Sequence, residues 1–527
     1  MNGKISPLVI TRSKYILTTF LVIFIALLAC ARASGPISAP WSVSTSAPST
    51  PDLPVETEAD SSSVAFLPIT HQGGDPVYTP TPDTPHTLPT PRTDPEKYVV
   101  KQNDTLGLIA QRFRVTIDAL IKANKLTNPD VLEVGQTLLI PILDPGDEGP
   151  GFKILPDSEL VYGPASTTLN IQDFINAKGG YLSTYKEKVD NEMLKGAEIV
   201  KRVSYEYSTN PRLLLAVLEY QSGWVTKKDP DPSTLDFPIG WEDELRKGLY
   251  KQLAWAANNL NRGYYLWRVG GIGTWVLANG DVVLIAPTIN AGTAGIQHFF
   301  SLLYGPRRWN PAVSSEGLVA TYITFFGYPF DLTVDPLVPP NLQQPKFHLP
   351  FEPGKEWYFT GGPHGGWGDG SGWGALDFAP PGEALGCVTS DEWVVAVADG
   401  PIIRADNGEV VQDIDLKNSP ADGLEQTGWT VLYMHIESRD RVQAGAYLHA
   451  GDRVGHPSCE GGYSTGTHLH IARRYNGEWI PADQTLPFVM DGWVARGTGI
   501  EYDGYLEKNG QTVQALEGRL PSNAIQR

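Results

Sequence analysis

The chain has 527 residues, which is too long for one hydrophobic core and predicts about three domains. Its formal net charge of −18 at pH 7 argues against nucleic acid or an anionic membrane surface as the main partner. Only 19% of the residues are charged, whereas 54 glycines, 43 prolines and 14 tryptophans are present. This combination is typical of an extracytoplasmic, loop-rich protein with aromatic contact surfaces.

Residues 1–33 have the pattern of an export signal. Three basic residues within the first 14 positions precede an apolar run at 15–29, which is short for a membrane span. The run ends with the letters LLAC, which resemble a lipoprotein signal with Cys30 as the lipidated residue. Two alternatives stay open. Cleavage after residues 31–33 would give a secreted protein, or the segment would stay uncleaved as a membrane anchor. The protein is therefore predicted to be extracytoplasmic, and a lipid on Cys30 is its only predicted membrane contact.

Residues 34–95 are predicted to form a spacer. They are rich in Pro, Ser and Thr, as in the segments 78–82 (YTPTP) and 88–91 (LPTP). Such a segment cannot bury a core, so we expect an extended, semi-rigid chain that holds the following domains away from the membrane.

Residues 96–143 are predicted to form a compact strand–helix–helix–strand (βααβ) unit. A strand at 98–100 is followed by a helix that begins at Asp104 and Thr105 and has its apolar positions on one face. A second helix begins at Ile117, and the segment 136–141 (QTLLIP) reads as a closing strand.

This unit resembles the LysM domain, which binds glycans that contain N-acetylglucosamine. The resemblance rests on the start at 104–106 (DTL), the turn at 124 and the Gly-Gln approach to the last strand. It implies that sugar lies against two loops, 104–107 and 124–128. The residues implied in glycan binding are Asp104, Thr105, Leu106, Gly107 and Asn124. The alternative is a small structural domain without a ligand.

Residues 155–335 are predicted to be mostly helical. Asn210 suits an N-cap and Pro211 a first helical turn, and Gly223 is predicted to end that helix. Further helices are predicted at 255–260 and 294–300.

This region resembles the lysozyme-like fold of lytic transglycosylases, through the segments 214–224 and 289–292. Where that family has its catalytic glutamate, this chain has Gln221, whose amide has no proton to give to a leaving oxygen. Glu219 lies about 200° further round the helix. We therefore predict a non-catalytic domain that holds glycan or acts as a spacer, with residual activity through Glu219 or Glu206 as the alternative.

Residues 345–490 follow a linker at 334–345 and are predicted to be mostly antiparallel β, from strand-like runs such as 393–398 and 428–433. The predicted fold class is therefore a multidomain α+β protein. The sequence does not assign residues 491–527, which we treat as a C-terminal extension.

The segment 466–470 (GTHLH) carries the strongest chemical signal. Side chains alternate along a strand, so His468 and His470 are expected to point to the same face while Leu469 enters a core. Two adjacent imidazoles on a strand suit a metal hydrolase, in which one binds the metal and its neighbour moves protons.

Other candidate residues lie upstream of this pair. Asp377 is flanked by apolar residues in a strand-like setting, His364 lies in a Gly-rich stretch, and His435 ends a strand-like run. His449 and His456 have no such context and are predicted to be structural or surface residues.

Residues 345–490 resemble the lysostaphin-type zinc endopeptidases, which cut peptide cross-bridges in peptidoglycan. Most of that family has a ligand histidine shortly before the aspartate, where this chain has Trp373. The beta-lytic branch instead separates the two by a Gly-rich insert with an ending such as the ALD at 375–377 here. The resemblance implies that His364, Asp377 and His470 bind one zinc ion.

The same resemblance implies that His468 and His435 are the catalytic histidines. A catalytic zinc lowers the pKa of its water from 15.7 toward about 7. His468 would take the proton of that water and later protonate the leaving amine, and His435 would stabilise the oxyanion.

The leading hypothesis is therefore an exported, cell-wall-associated hydrolase that binds peptidoglycan glycan through the LysM-like unit and cuts its peptide with a zinc-dependent domain. One alternative is a catalytically silent peptidoglycan-binding or activator protein. Another is a zinc protease that acts on Gly-rich proteins, against which the glycan-binding unit argues.

The two cysteines that remain when Cys30 is set aside are Cys387 and Cys459. In an exported protein such a pair is predicted to form one disulfide. The alternative is two buried free thiols.

Overall fold

The computed structural model describes residues 80–89, 92–101, 104–113, 115–126, 132–142 and 146–527. The chain divides into two units, 1–67 and 68–527, and every described residue lies in the second. The predicted export signal with Cys30 and most of the spacer at 34–95 lie outside the described residues. Within the described part, none of the helices combines the length and the apolar character needed to cross a membrane.

The first domain has the predicted βααβ order. Its elements are β1 (Glu96–Val99), α1 (Leu106–Phe113), α2 (Ile117–Asn124) and β2 (Thr137–Ile140), and the two strands pair antiparallel. Thr116 caps α2 because its side chain accepts a hydrogen bond from Ala119 N, and the helix ends at Lys125, which adopts a left-handed φ of 51°. The first domain has its own small hydrophobic core, which includes Leu120 and Leu138.

The middle region, residues 146–340, is mostly helical, as predicted. Its helices are α3 (Asp157–Leu160), α4 (Ile171–Lys178), α5 (Gly196–Tyr207), α6 (Pro211–Ser222), α7 (Leu249–Arg268), α8 (Ala291–Leu303), α9 (Pro306–Ala312) and α10 (Leu318–Phe326). Two hairpins are formed by β3 (Lys186–Val189) with β4 (Glu192–Lys195), and by β5 (Thr274–Val276) with β6 (Val282–Leu284). Short 3₁₀ turns lie at Pro164–Thr168, Tyr181–Ser183, Pro232–Thr234, Glu244–Arg246 and Pro329–Leu332.

Helix α6 lies in the centre of the middle region. The Asn210 side chain accepts a hydrogen bond from Arg212 N, Pro211 occupies the first turn, and Gly223 ends the helix with a φ of 71°. These are the predicted start and stop. All the residues from 213 to 218 are fully buried, so α6 is apolar on every side, as a core helix must be.

Part of the predicted spacer is docked on the middle region. Asp83 N and His86 N donate hydrogen bonds to the carbonyls of Thr288 and Pro287, and the ring of His86 stacks on Trp267 at 4.7 Å. Residues 80–89 are therefore held against another domain. Composition alone predicted a free spacer, since it cannot show that a neighbouring surface offers partners for an extended backbone.

The C-terminal part is built on one antiparallel sheet, as predicted. The strands of this sheet are β7 (Glu356–His364), β8 (Ala375–Ala379), β10 (Gly400–Asp406), β11 (Glu409–Asp413), β12 (Trp429–Met434), β13 (Tyr447–Leu448), β15 (Leu469–Tyr475), β16 (Glu478–Trp479) and β21 (Ala524–Gln526). Their order across the sheet is β13–β10–β11–β12–β15–β8–β7–β21, and β16 pairs with β15. A small sheet pairs β9 (Val394–Val395) with β14 (Arg453–Gly455).

Residues 491–527, which the sequence did not assign, pack onto this sheet. β17 (Val489–Met490), β18 (Trp493–Gly497), β19 (Gly504–Lys508) and β20 (Gln511–Gln514) form a four-stranded sheet. β21 then pairs with β7, where Ile525 lies opposite Trp357. This segment therefore belongs to the same β domain as the predicted site.

The two faces of the large sheet contribute to different cores. One face packs against the β domain's own loops through residues such as Phe378, Tyr433 and Ile471. The other face shares a core with the helices of the middle region, and its buried contributors are Ala375, Val411, Leu432, Met434, Ala472 and Trp479. The middle region and the β domain are thus joined by one continuous hydrophobic core.

Candidate metal centre

Three neighbouring strands bring the predicted metal ligands together. His470 of β15 lies directly opposite Asp377 of β8, and Asp377 in turn lies opposite Gly361 of β7. The pairing of β7 with β8 shifts register between Gly361 and His364, so the end of β7 bends toward the other two. A Cβ on Gly361 would lie 2.5 Å from Asp377 Oδ2, so this position requires glycine.

The ligand atoms of the three residues form a compact triangle. His364 Nε2 lies 2.9 Å from His470 Nδ1, and Asp377 Oδ1 lies 3.2 Å from each of these nitrogens. Ligand atoms bound to one zinc ion at about 2.0–2.1 Å in tetrahedral geometry are about 3.3 Å apart. The triangle therefore has the size of one face of a zinc coordination shell, and all three residues are buried.

Backbone carbonyls fix the tautomers of both ligand histidines. His364 Nδ1 lies 2.8 Å from Gly362 O, and His470 Nε2 lies 3.1 Å from Gly366 O, so these nitrogens carry the hydrogens. In the neutral rings, the lone pairs on His364 Nε2 and His470 Nδ1 then face each other and Asp377 Oδ1, which is buried and receives no hydrogen bond. Three converging electron-pair donors fit a cation such as zinc.

The ionisation of Asp377 suits this role. Burial opposes the charge, but the adjacent imidazoles, His364 foremost, hold the pKa of this carboxyl well below its usual range. Burial lowers the pKa of His470. Asp377 is thus present as a carboxylate. Burial opposes a charge on His364 as well, but this carboxylate raises the pKa of that ring.

The two predicted catalytic histidines lie beside the triangle. His468 Nε2 is 3.8 Å from Asp377 Oδ1, and the His435 and His468 rings are 4.5 Å apart. His435 ends β12 with a left-handed φ of 65°. Burial, with His468 and His470 nearby, lowers its pKa to about 3, so the ring is neutral.

Each of these two rings is also oriented by a carbonyl. His435 Nδ1 lies 3.0 Å from Glu460 O, and His468 Nδ1 lies 2.8 Å from Gly466 O. Both rings therefore carry the hydrogen on Nδ1 when neutral and keep Nε2 for proton exchange.

A disulfide lies next to these carbonyls. Cys387 and Cys459 are joined by an S–S bond of 2.13 Å, so neither is a free thiol here. Cys459 precedes Glu460, and Thr467 N donates a hydrogen bond of 3.0 Å to Gly386 O. The bond therefore ties together the two loops, 383–388 and 459–467, that border the histidine pair.

Tyr502 is a site residue that sequence reasoning missed. Its ring stacks on His364 with the centroids 4.2 Å apart, and Gly362 N donates to Tyr502 O at 2.8 Å. No motif marks this tyrosine. It reaches the site only because the strands after residue 490 fold back onto β7.

Other predicted residues lie apart from the triangle. The carbonyl of Trp373, which stands where most lysostaphin-type enzymes have a ligand histidine, accepts a hydrogen bond from Ala482 N. The His456 ring packs at a tilt against the ring of Trp393, with the centroids 3.9 Å apart, and His449 lies exposed near Asp399.

The acidic candidates of the middle region are held in structural contacts. Glu219 accepts hydrogen bonds from Val225 N and Thr226 N at 3.1 Å. Glu206 is buried in an ion pair of 2.8 Å with Arg202. The Oε1 atom of Gln221 accepts a hydrogen bond from Tyr304.

The predicted glycan-binding residues differ in their surroundings. Asp104 accepts hydrogen bonds of 2.7 Å from Tyr98 OH and Lys101 N, and Thr105 Oγ1 accepts one from Leu108 N. The Asn124 side chain bonds to the backbone of Leu139. Leu106 is buried, whereas Gly107 is exposed. Asp104 thus bonds within its own segment, and Asn124 ties the end of α2 to β2.

Comparison with known proteins assigns two domains. Residues 98–141 match the family profile described as LysM domain, and residues 153–340 match the one described as LasA, N-terminal domain. The lysozyme-like fold predicted for 155–335 is not confirmed, because the family that matches there is this LasA domain.

Three curated relatives share parts of the chain. The Cortical fragment-lytic enzyme of Bacillus subtilis is 53% identical over 45 residues, 8% of this chain and 10% of that protein. Protease LasA of Pseudomonas aeruginosa is 25% identical over 312 residues, 54% of this chain and 67% of LasA. The Beta-lytic metalloendopeptidase of Achromobacter lyticus is 28% identical over 176 residues, 31% of this chain and 42% of that enzyme.

The chain therefore spans only a part of each of these relatives, and less than half of two of them. It nevertheless combines a LysM domain and a LasA N-terminal domain with homology to Protease LasA and to the Beta-lytic metalloendopeptidase.

Proposed function

We propose that the protein is an exported, zinc-dependent peptidase that cuts the peptide cross-links of peptidoglycan. The observation that carries this proposal is the buried triangle of His364, Asp377 and His470 with two further histidines beside it. Two histidines and a carboxylate are a ligand set of catalytic zinc, which keeps a further position for water.

A zinc ion held by these residues would lower the pKa of its water and polarise the scissile carbonyl. The chain supplies the proton transfer. The Nδ1–H groups of His435 and His468 are held by carbonyls, so the proton taken from water resides on an Nε2 atom of this pair. His468 would take the proton of the water and give it to the leaving amine, and His435 would stabilise the oxyanion.

The other parts of the chain support a cell-wall substrate. The LysM domain is proposed to hold peptidoglycan glycan, and the middle region is proposed to be non-catalytic because its candidate carboxylates are engaged in structural contacts. A disulfide suits an oxidising compartment outside the cytoplasm. The names of the relatives, which include a lytic enzyme and an endopeptidase, agree with this direction.

The test is digestion of intact peptidoglycan by the full chain loaded with zinc, with identification of the soluble products by mass spectrometry. We expect products with new peptide amino termini. They should be absent with His470→Ala, which removes a ligand, and retained with His449→Ala, which removes a histidine far from the triangle.

A folded, zinc-loaded chain that sediments with peptidoglycan but releases nothing would refute the peptidase. That result would establish the alternative, a binding or activator protein without catalysis.

A further inference from the structure

One loop carries much of the metal centre. Residues 365–374 join β7 to β8, so the loop starts directly after His364 and ends three positions before Asp377. Its Gly366 carbonyl accepts the hydrogen bond from His470 Nε2. The position of this loop therefore affects all three proposed ligands.

The middle region holds this loop through α7. Asn258, Arg262 and Tyr265 are spaced i, i+4 and i+7, so they lie on one side of that helix. Asn258 Nδ2 donates to Asp369 Oδ1 at 2.6 Å, and Asn258 Oδ1 accepts from Gly370 N at 2.9 Å. Arg262 forms an ion pair of 2.7 Å with Asp369 and also donates to its carbonyl.

The loop approaches the helix so closely that only glycine fits. A Cβ on Gly370 would lie 1.9 Å from the Asn258 carbonyl oxygen, and one on Gly372 would lie 3.0 Å from the ring of Tyr265. A Cβ on Gly366 would lie 2.4 Å from the ring of Trp479, whose backbone N–H donates to Tyr265 OH. Helix α7 thus supports the loop at its start, at its tip and near its end.

We propose that Asn258 and Arg262 are positioning residues of the metal centre, although they lie in a different region of the chain. Six glycines in 365–374 give this loop many alternative backbone conformations. The contacts to Asp369 and Gly370 select one loop conformation. In it, Gly366 O accepts the hydrogen bond from His470 Nε2, and the end of β7 places His364 in the triangle. This inference rests on the proposed metal site.

The test measures zinc binding by the full chain rather than catalysis. Zinc affinity is measured by competition with a chromophoric chelator, for the wild type and for Asn258→Ala. We expect the variant to bind zinc about tenfold more weakly, the lower end of the losses seen when groups that orient metal ligands are removed. The intensity of the visible bands of the cobalt(II)-loaded protein should change as well, because the ligand geometry relaxes.

The matched control is Asn259→Ala. It makes the same truncation on the next residue of α7, whose side chain donates a hydrogen bond to Trp255 O within the helix itself. This variant should lose some thermal stability but keep the zinc affinity and the cobalt spectrum of the wild type.

A charge exchange tests the contact itself. Asn258→Asp places a carboxylate against Asp369 and should weaken zinc binding, and adding Asp369→Asn should restore it because a carboxylate and an amide again face each other. Equal zinc affinities in all these variants would overturn the positioning role. A wild-type chain that binds no zinc would instead overturn the metal site and with it the proposed function.

Discussion

At the scale of single residues, the metal centre depends on glycines as much as on histidines. Gly361 has no side chain to offer, yet it allows β7 to pass so close to Asp377 that the carboxylate stays within the triangle. The two carbonyls that orient His364 and His470 also belong to glycines, Gly362 and Gly366. Close backbone approach is a common reason for glycine at such positions.

Gly361→Ala should therefore damage the centre without touching a ligand. The new methyl group would overlap the Asp377 carboxylate, so either β7 or the carboxylate must move. We expect zinc affinity to fall at least about tenfold, in line with the loss of a group that orients a ligand. Calorimetric titration of the metal-free protein with zinc measures this.

Gly151→Ala provides the comparison. A Cβ at Gly151 meets its nearest neighbours at 3.5 Å and 3.6 Å, which is ordinary contact. That variant should bind zinc like the wild type. Unchanged affinity in Gly361→Ala would mean that β7 has room to shift and that the close approach is not required.

At the scale of elements, the sequence predicted local patterns well. The βααβ order, the start and stop of α6 and the shared side of His468 and His470 all follow from capping residues or from strand alternation. Such features depend on neighbours within a few positions. The three proposed ligands lie together in the structure, as the family resemblance implied for the distant partners of His470, and their binding of zinc stays a prediction.

Other features could not be predicted because they arise from pairing between remote segments. Tyr502 meets His364 only through the fold of the strands after residue 490. Residues 80–89 read as a spacer because their partners, such as Thr288, lie in another domain. The lysozyme-like assignment is not confirmed, and it rested on short helical motifs, which recur in unrelated folds.

The disulfide is an element-scale feature with a measurable effect. It closes a segment of 72 residues between two loops that border His435 and His468. The double variant Cys387→Ser/Cys459→Ser should lose about 2–4 kcal/mol of unfolding free energy, as is typical when a native disulfide is removed. The proposed peptidase activity should fall as well, because the loop that carries the Glu460 and Gly466 carbonyls loses its anchorage.

Urea unfolding of the oxidised wild type and the double variant measures the difference. The wild type treated with a reductant should behave like the variant. If all three proteins unfold at the same urea concentration, the loops are held by their hydrogen bonds alone.

At the scale of the whole molecule, the middle region and the β domain share a hydrophobic core. Leu432, Met434 and Trp479 of the β domain are buried against the helices of the middle region. The LysM domain, in contrast, has a separate small core. In the described residues the middle region and the β domain thus share one core, the β domain has a second core on the other face of its sheet, and the LysM domain has a third.

A fragment that starts at residue 341 should consequently be much less stable than one that starts at residue 146. In the fragment that starts at residue 341, one face of the large sheet is exposed to water. Each large apolar side chain exposed in this way lowers the unfolding free energy by about 1.5–3 kcal/mol. Thermal unfolding followed by circular dichroism compares the two fragments. Equal midpoints would show that the β domain does not need the helices.

The fit between α7 and the Gly-rich loop also constrains how such proteins can evolve. The Asn258 backbone contacts Gly370, and the Tyr265 ring contacts Gly372. A larger residue in the loop is therefore tolerated only if the helix changes as well, and the same holds in the other direction. The two stretches are far apart in sequence, yet we expect substitutions in one to depend on the other. A recombination that exchanges the β domain between relatives without its middle region would join a loop to a helix that was never selected to fit it.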